Sequence, residues 1–327
     1  MAQFSEYRSR TDDTDYRPRV SYVMATKNHG EQLKKALENV REFIQPADEL
    51  IIVDGGSTDC TAAVIEENRD IITIFDSEPD FGEAHALNKA IYLSRGRYIK
   101  PLDDADYLYP DMMHKLIDVF DEHPDADAIQ CGGEAWDMRG PQPVFDGLRY
   151  LPAQMAPTPI AIFANTLCSL GLIVRRTAME RIGGVSSNYR AVDADLTCRL
   201  IECDCVLRYL DVKLFRWNIH PHSGINEGGN YSHDFALINL RLGNWKDFMR
   251  HEPEFFLSLT KGAIDSEDQA LAHWIWIAAL LARSPLRYAY VPIYWMASQL
   301  LKLRRLIKGP PPGSMHDDKH QWTGRLR

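Results

Sequence analysis

Two aspartates separated by one residue, Asp104 and Asp106, follow the apolar segment 98–102. In an extended chain, side chains two residues apart lie on the same face, so the two carboxylates can act together. Mg²⁺ and Mn²⁺ bind one or two carboxylates plus phosphate oxygens, and they neutralise charge on a leaving diphosphate. The spacing therefore suits a divalent-cation site, although an acidic turn that caps the next helix is the alternative.

Polar loops also follow the other segments that we predict to be strands. The predicted strands are 20–24, 50–53, 71–75 and 98–102, and the helical patterns 31–43, 61–68 and 83–94 lie between them. This alternation predicts an α/β fold with a Rossmann-type, mainly parallel sheet flanked by helices, followed by a C-terminal helical region.

Ligands of such sheets bind beyond the carboxyl ends of the strands. The loops at those ends contain Thr26, Asp54 and Asp80 besides the aspartate pair. Neither GxGxxG nor GxxxxGK[ST] occurs, so the usual dinucleotide and triphosphate loops are not expected. Gly132 to Pro159 is rich in Gly and Pro, which predicts long loops over the sheet, beside the site.

The order of these motifs resembles the family 2 glycosyltransferases of the GT-A fold. The similarity is carried by VSYVMATKN, ELIIVDGGSTDCT, SEPDFGEAHALNKAI and GRYIKPLDDADYLYPD, between Val20 and Asp106. It continues through RRTAMERIGGVSSNYRAVDADLTCRL and weakly through FRWNIHPHSG, so that it covers roughly residues 18 to 228.

The resemblance implies a role for each matching residue. Thr26, Asp54 and Asp80 match positions that hold the base and ribose of a nucleotide-sugar donor. Asp104 would face the ribose and the metal, and Asp106 would bind the metal, which the family resemblance identifies as Mn²⁺ or Mg²⁺. Asp54 can also form a turn with the glycines that follow it, and both roles are compatible.

Transfer with inversion, which the family resemblance implies, requires a general base that takes the proton of the acceptor hydroxyl. Asp193 matches the aspartate of the family's Glu-Asp motif, but Val192 stands where the family has glutamate. Asp195 is the rival candidate. Either carboxylate could instead stabilise the start of the predicted helix through the helix dipole.

A late string, His220-Pro-His222-Ser223, resembles the HPxS motif of the family, whose histidine reaches the metal or the diphosphate. We predict His220 as a metal ligand and Arg216 as a donor-binding residue that steadies the phosphates. His220 lies four residues after Arg216, where two is more usual, so His222 remains an alternative, as does a surface histidine without a ligand.

Charge and cysteine content limit the possible partners and compartments. The net charge of -9 argues against nucleic-acid binding, which needs a basic surface. The 6 cysteines form no CxxC pair and are expected to be reduced. No signal-peptide pattern occurs near the start, so we expect a cytoplasmic protein.

The segment from Arg283 to Lys308 carries basic residues and no acidic ones. Within it, the part from Val291 to Lys308 has an apolar helical face and a basic face, a pattern typical of a helix lying on an anionic membrane surface. This pattern predicts a protein that is peripheral on the inner face of the cytoplasmic membrane. Packing against the catalytic domain or a partner is the alternative, and no segment is apolar enough to span a bilayer.

We divide the chain into a flexible segment 1–17, a GT-A domain 18–228, a helical region 229–308 and a disordered tail 309–327. The predicted function is inverting transfer of a sugar from a nucleotide diphosphate, preferably UDP, to a saccharide or lipid-linked acceptor in cell-surface polysaccharide or glycolipid synthesis. One alternative is a nucleotidyltransferase, although the first loop offers only Lys27 and Gly30 for a triphosphate. A non-catalytic sugar-nucleotide-binding protein is the other, and Val192 is its best support.

Overall fold

The computed structural model describes residues 17–150, 169–189 and 191–219, together with Asp234 and Ile238. The chain divides into two compact units, Met1–Leu242 and Gly243–Arg327, and every described residue belongs to the first. The domain boundary at 228 and the character of the terminal segments therefore remain predictions. The amphipathic segment from Val291 to Lys308 lies outside the described residues.

Strands and helices alternate through the first half of the described chain, as the sequence predicts. The strands are β1 (Val20–Thr26), β2 (Glu49–Asp54), β3 (Ile74–Ser77), β4 (Tyr98–Leu102), β5 (Tyr107–Leu108), β6 (Ala128–Asp137), β7 (Val144–Arg149), β8 (Leu172–Arg175) and β9 (Leu207–Ile219). The helices are α1 (Gly30–Phe43), α2 (Thr61–Glu67), α3 (Glu83–Leu93), α4 (Pro110–Glu122), α5 (Arg176–Ile182) and α6 (Val192–Glu202), and a 3₁₀ turn spans Ser169–Gly171.

All nine strands join one sheet in the order β3-β2-β1-β4-β8-β6-β9-β5, with β7 paired to β6. The first four strands are parallel to one another, and the α/β fold class is confirmed. Beyond β4 the sheet is mixed, because β8 is antiparallel to both β4 and β6, whereas β9 is parallel to β6. The third strand starts at Ile74 rather than at Ile71, whose N–H instead closes a turn on the carbonyl of Asn68.

The parallel strands are buried on both faces. Tyr22 and Met24 of β1 pack in the apolar layer that contains α1 and α4, whereas Val23 packs in the layer that contains α3, α5 and α6. Strands covered on both faces are continuous apolar runs, which is why VSYVM and LIIV were recognisable in the sequence. The helices on both sides leave the carboxyl ends of β1, β2 and β4 as the edge from which the polar loops emerge.

The prediction of loops over the whole of Gly132 to Pro159 was wrong. Residues 132–137 continue the buried strand β6, and 144–149 form β7. The glycines in β6 mark a close approach rather than a loop, since a Cβ atom on Gly133 would lie 2.6 Å from ring atoms of Phe215. The remainder, 151–159, lies outside the described residues.

Replacing Gly133 should test this close approach between β6 and β9. We expect Gly133→Ala to lower the free energy of unfolding by about 1–3 kcal/mol, because Phe215 is buried and cannot move away without disturbing its neighbours. Gly140→Ala is the matched control, since its nearest contact would be 3.6 Å away. Chemical denaturation of both variants measures the difference, and equal stability would mean that β6 and β9 do not pack this closely.

Candidate active site

The loops after β1 and β4 meet at the first aspartate of the predicted metal motif. Asp104 is 6% exposed and accepts a hydrogen bond from the Thr26 hydroxyl, Oγ1 to Oδ2, at 2.6 Å. Nδ1 of His29 lies 3.1 Å from both carboxylate oxygens of Asp104. Thr26 and Asp104 therefore lie together, as the sequence analysis predicted. His29 was not predicted as a site residue, although its position in the polar loop after β1 could have indicated it.

Asp54, at the end of β2, shapes the next loop. Its carboxylate accepts hydrogen bonds from the Ser57 backbone N–H at 3.1 Å and from the Ser57 hydroxyl, and a third bond comes from the Ser77 hydroxyl at 2.6 Å. Asp54 therefore forms the expected turn, and it also ties the carboxyl ends of β2 and β3 together. These bonds fix the position of a buried carboxylate beside the loop after β1.

Asp80 is brought to the same edge by the loop after β3. A Cβ atom on Gly55 would lie 2.4 Å from Oδ2 of Asp80, so only glycine leaves room for this carboxylate. Lys27 Nζ lies 3.5 Å from Oδ1 of Asp80, whose side chain is 7% exposed. Asp80 also accepts the Gly82 N–H at 3.1 Å, which shapes the entry to α3. The predicted donor-binding residues Thr26, Asp54 and Asp80 thus converge from three loops.

Asp106 is held in place by β9, a contact that the sequence patterns did not predict. Its Oδ1 accepts the backbone N–H of Asn218 at 2.6 Å, and the Asn218 amide donates to the carbonyl of Ala105 at 3.0 Å. Arg216, two residues earlier on β9, donates through Nε to Asn218 Oδ1 at 2.9 Å. Its guanidinium carbon lies 5.0 Å from the ring centre of Trp136. Arg216 is therefore beside the aspartate motif, and Asn218 is a site residue that the sequence analysis missed.

Asp193 and Asp195 occupy the first turn of α6 and differ in access. Asp195 is fully buried, whereas Asp193 is half-buried and so remains open to a substrate. Burial raises the pKa of Asp193, and this effect is opposed by hydrogen bonds from the backbone and side chain of Ser169 and by the charge of Lys100. Of the two candidates for the base, Asp193 is the more accessible.

Glu83, the first residue of α3, links the two groups of carboxylates and was not predicted. Its side chain reaches solvent, yet the surrounding protein removes much of its hydration. This loss of hydration, followed by the negative charges of Asp193, Asp103 and Asp104, raises the pKa of Glu83 to about 8. A charge effect of this kind requires proximity, so Glu83 lies near both the aspartate motif and Asp193.

The donor atoms at this site fit a hard divalent cation. Burial, and then the charge of Asp103, raise the pKa of Asp106 well above its usual range, as expected where negative charge is not balanced by nearby cations. No group of three or more His, Cys, Asp or Glu side chains is arranged to hold a metal ion within the ranges that the structure covers. Asp104 and Asp106 supply carboxylate oxygens, the ligand type that Mg²⁺ and Mn²⁺ take from proteins.

Two predictions from the end of the domain concern residues that cannot be compared with the structure. His220, predicted as a metal ligand, and its alternative His222 lie outside the described residues. Within the part of the chain that the structure describes, no helix has the length and apolar character needed to cross a membrane.

Comparison with known proteins finds a family match and glycosyltransferase relatives. Residues 21–161 match the family described as Glycosyl transferase family 2. Poly-beta-1,6-N-acetyl-D-glucosamine synthase of Staphylococcus epidermidis is 31% identical over 210 residues, which are 62% of this chain and 50% of the relative. A Haemophilus influenzae protein described as an uncharacterized glycosyltransferase is 23% identical over 192 residues, 56% of this chain and 62% of the relative. The chain thus spans less than two thirds of each relative.

Solved structures share the fold of this chain. Residues 1–349 of TarS from S. aureus, in complex with UDP-GlcNAc, superpose with a TM-score of 0.61 at 16% identity, covering 89% of this chain and 92% of that one. The mannosyltransferase PcManGT from Pyrobaculum calidifontis, in complex with GDP-Man and Mn²⁺, gives 0.50 at 16% identity, with 88% of each chain covered. Residues 21–161 thus match glycosyl transferase family 2, and the fold is that of GT-A glycosyltransferase structures.

Proposed function

We propose that this protein transfers one sugar from a nucleotide diphosphate donor, preferably a UDP-sugar, to a hydroxyl group of a saccharide or lipid-linked acceptor with inversion at the anomeric carbon. The observation that supports the proposal is the proximity of the aspartate motif, Glu83 and Asp193. After burial, the charges of Asp193 and of the motif raise the pKa of Glu83, and the charges of Asp103, Asp104 and Asp193 raise that of Asp106. In the proposal the motif holds the donor, and Asp193 is the base for a single displacement.

Asp193 is the group that would receive the proton. The acceptor oxygen forms a bond to the anomeric carbon while the bond from that carbon to the diphosphate oxygen breaks, and the hydroxyl proton passes to the Asp193 carboxylate. Because burial raises its pKa, Asp193 is a stronger base than an ordinary aspartate. The bonds from Ser169 hold the carboxylate in place for this transfer.

The donor would be held by the loops after the first three strands and by β9. Thr26, Asp54 and Asp80 would hold the nucleoside, as the family resemblance implies, and Arg216 would steady the phosphates from β9. Asp104 and Asp106 would hold Mg²⁺ or Mn²⁺, and when bound this ion neutralises charge on the leaving diphosphate. The preference for UDP is supported by the UDP-GlcNAc complex of TarS, whereas the GDP-Man complex of PcManGT makes GDP-Man the necessary comparison.

Thermal unfolding with a panel of nucleotide sugars tests the proposal directly. UDP-GlcNAc, UDP-glucose, UDP-galactose and GDP-Man are compared with and without Mn²⁺. A donor that binds only the folded protein stabilises it by about 2.7 kcal/mol at a concentration 100 times its Kd. Failure of every donor to shift the unfolding temperature would exclude the proposed donor class.

Asp106→Asn should abolish metal-dependent donor binding and leave the fold intact. Loss of the charge removes a metal ligand, and it also relieves repulsion with Asp103 and Asp104, so the metal-free variant should unfold at the same or a higher temperature. Asp211→Asn, which neutralises an exposed aspartate on β9, is the control. Unchanged nucleotide affinity of the folded Asp106 variant in Mn²⁺ titrations would remove the metal from this proposal.

Asp193→Asn should preserve donor binding and lower turnover by at least about 10², because the amide cannot accept the acceptor proton. The rate is measured as Mn²⁺-dependent hydrolysis of whichever donor of the panel stabilises the protein most, with water as the acceptor. Near-normal turnover in this variant would move the base to another residue. Absence of hydrolysis by the wild-type protein, despite donor binding, would favour a non-catalytic sugar-nucleotide-binding protein.

A peripheral position on the inner face of the cytoplasmic membrane is the part of the proposal that rests on sequence alone. The basic, amphipathic pattern from Val291 to Lys308 supports it, and a membrane position in turn supports a lipid-linked acceptor and a role in cell-surface polysaccharide or glycolipid synthesis.

Deletion of residues 288–327 should release the protein from anionic vesicles, because each Lys or Arg near such a surface contributes about 1 kcal/mol. Sedimentation with vesicles of phosphatidylglycerol and phosphatidylcholine measures binding, and neutral phosphatidylcholine vesicles are the control. Higher salt should weaken binding of the full chain through screening. A full-length protein that ignores anionic vesicles at low salt would contradict the membrane position.

A further inference from the structure

Asn39 is a buried asparagine on α1 whose side-chain amide bonds to the backbone just after the aspartate motif. Its Nδ2 donates to the carbonyl of Leu108 at 2.9 Å, and its Oδ1 accepts the N–H of Leu108 at 2.8 Å. We call this pair of bonds the Asn39 clamp. Both residues are buried, and an unpaired backbone group in such a place destabilises the fold. The Asn39 clamp therefore fixes where Leu108 lies.

The position of Leu108 in the sheet explains why a side chain takes this role. Within the part of the chain that the structure describes, β5 is the last strand of the sheet, with β9 on one side and no strand on the other. The free edge of such a strand leaves N–H and C=O groups unpaired. The amide of Asn39 offers a donor and an acceptor, as a peptide group does, so it completes the pairing of Leu108 at that edge.

The Asn39 clamp acts on the short segment that contains Asp106, which lies two residues before Leu108. β9 holds the same segment: the Asn218 N–H donates to Asp106 Oδ1 at 2.6 Å, and the Asn218 amide donates to the Ala105 carbonyl at 3.0 Å. Asn39, Asp106 and Leu108 also line one small cavity, so the clamp and the carboxylate are neighbours. The aspartate motif is therefore held both by β9 and by α1.

We propose that Asn39 is a positioning residue for metal binding: through Leu108 it holds Asp106 where a divalent cation can join this carboxylate to the donor diphosphate. This inference rests on the proposed function, in which Asp106 is a metal ligand. Mg²⁺ demands near-ideal ligand geometry, so a carboxylate beside a loose edge strand would bind it more weakly. Replacing a group that orients a metal ligand typically lowers metal affinity by roughly 10- to 100-fold.

A second asparagine makes the same pair of bonds elsewhere, and it provides a matched control for loss of stability. Asn88 on α3 donates through Nδ2 to the carbonyl of Val185 at 2.7 Å and accepts the Val185 N–H at 2.9 Å. Val185 is buried and lies in the loop between α5 and α6, outside the aspartate motif. Asn39→Ala and Asn88→Ala therefore remove equivalent bonds, and both should lower the unfolding temperature. Only Asn39→Ala should change metal binding.

Donor binding is measured by titration calorimetry in Mn²⁺ and in EDTA, with UDP-GlcNAc or GDP-Man, whichever stabilises the wild-type protein more. We expect Asn39→Ala to raise the donor Kd in Mn²⁺ about ten-fold and to leave the Kd in EDTA within about two-fold. Asn88→Ala should leave both values within about two-fold, because it lies outside the metal site. In an Asp106→Asn background, Asn39→Ala should cause no further rise in Kd, since it acts through Asp106.

Asn39→Ser is the second variant, and it decides the matter if Asn39→Ala does not fold. Its hydroxyl can replace part of the lost bonding, so we expect a smaller rise of the Kd in Mn²⁺ that still exceeds about two-fold. Folded Asn39 variants whose Kd in Mn²⁺ stays within about two-fold of wild type would overturn the inference alone, as would an equal rise in Mn²⁺ and in EDTA. Wild-type donor binding that does not depend on Mn²⁺ would instead overturn the metal site of the proposed function, and this inference with it.

Discussion

The site depends on holding several carboxylates close together at one edge of a sheet. Burial, and then the negative charges of neighbouring aspartates, raise the pKa values of Glu83, Asp103 and Asp106. Left alone, such groups would repel one another or take up protons. The parallel strands bring successive loops to the same edge of the sheet. The burial of their apolar side chains stabilises the fold and offsets the repulsion between the carboxylates at that edge.

Hydrogen bonds then give each carboxylate its own position and its own task. Asp54 accepts hydrogen bonds from Ser57 and Ser77, which fix it at the carboxyl end of β2. Within the described part of the chain, Asp106 accepts one hydrogen bond, from the Asn218 N–H, which leaves other lone pairs available to a cation. Burial raises the pKa of Asp193, as the base of the proposed reaction would require. Identical side chains therefore differ in chemistry because their neighbours differ.

The second half of the sheet completes a site that the first half begins. β9 supplies Arg216 and Asn218 beside Asp106, and the turn before β8 supplies Ser169 beside Asp193. Both depend on close packing around β6, where Gly133 admits the ring of Phe215 and Gly171 comes near Gln130. The mixed part of the sheet thus sets the position of Arg216 and Asn218 relative to the aspartate motif, so changes in its packing should alter the geometry of the site.

The sequence by itself determined the α/β class, the first four strands, and the convergence of Thr26, Asp54, Asp80 and Asp104 on one edge, because buried parallel strands are continuous apolar runs and their carboxyl ends share an edge by topology. It also indicated the family through its ordered motifs. Only the tertiary structure brought Asn218 to Asp106 and His29 to Asp104, and placed Glu83 near the same carboxylates. The two hydrogen bonds join residues 112 and 75 positions apart and leave no local pattern. The tertiary structure also showed that Gly132 and Gly133 belong to a strand. The sequence cannot distinguish a glycine in a loop from a glycine that leaves room for a neighbouring aromatic ring, because the neighbour is not known from the sequence.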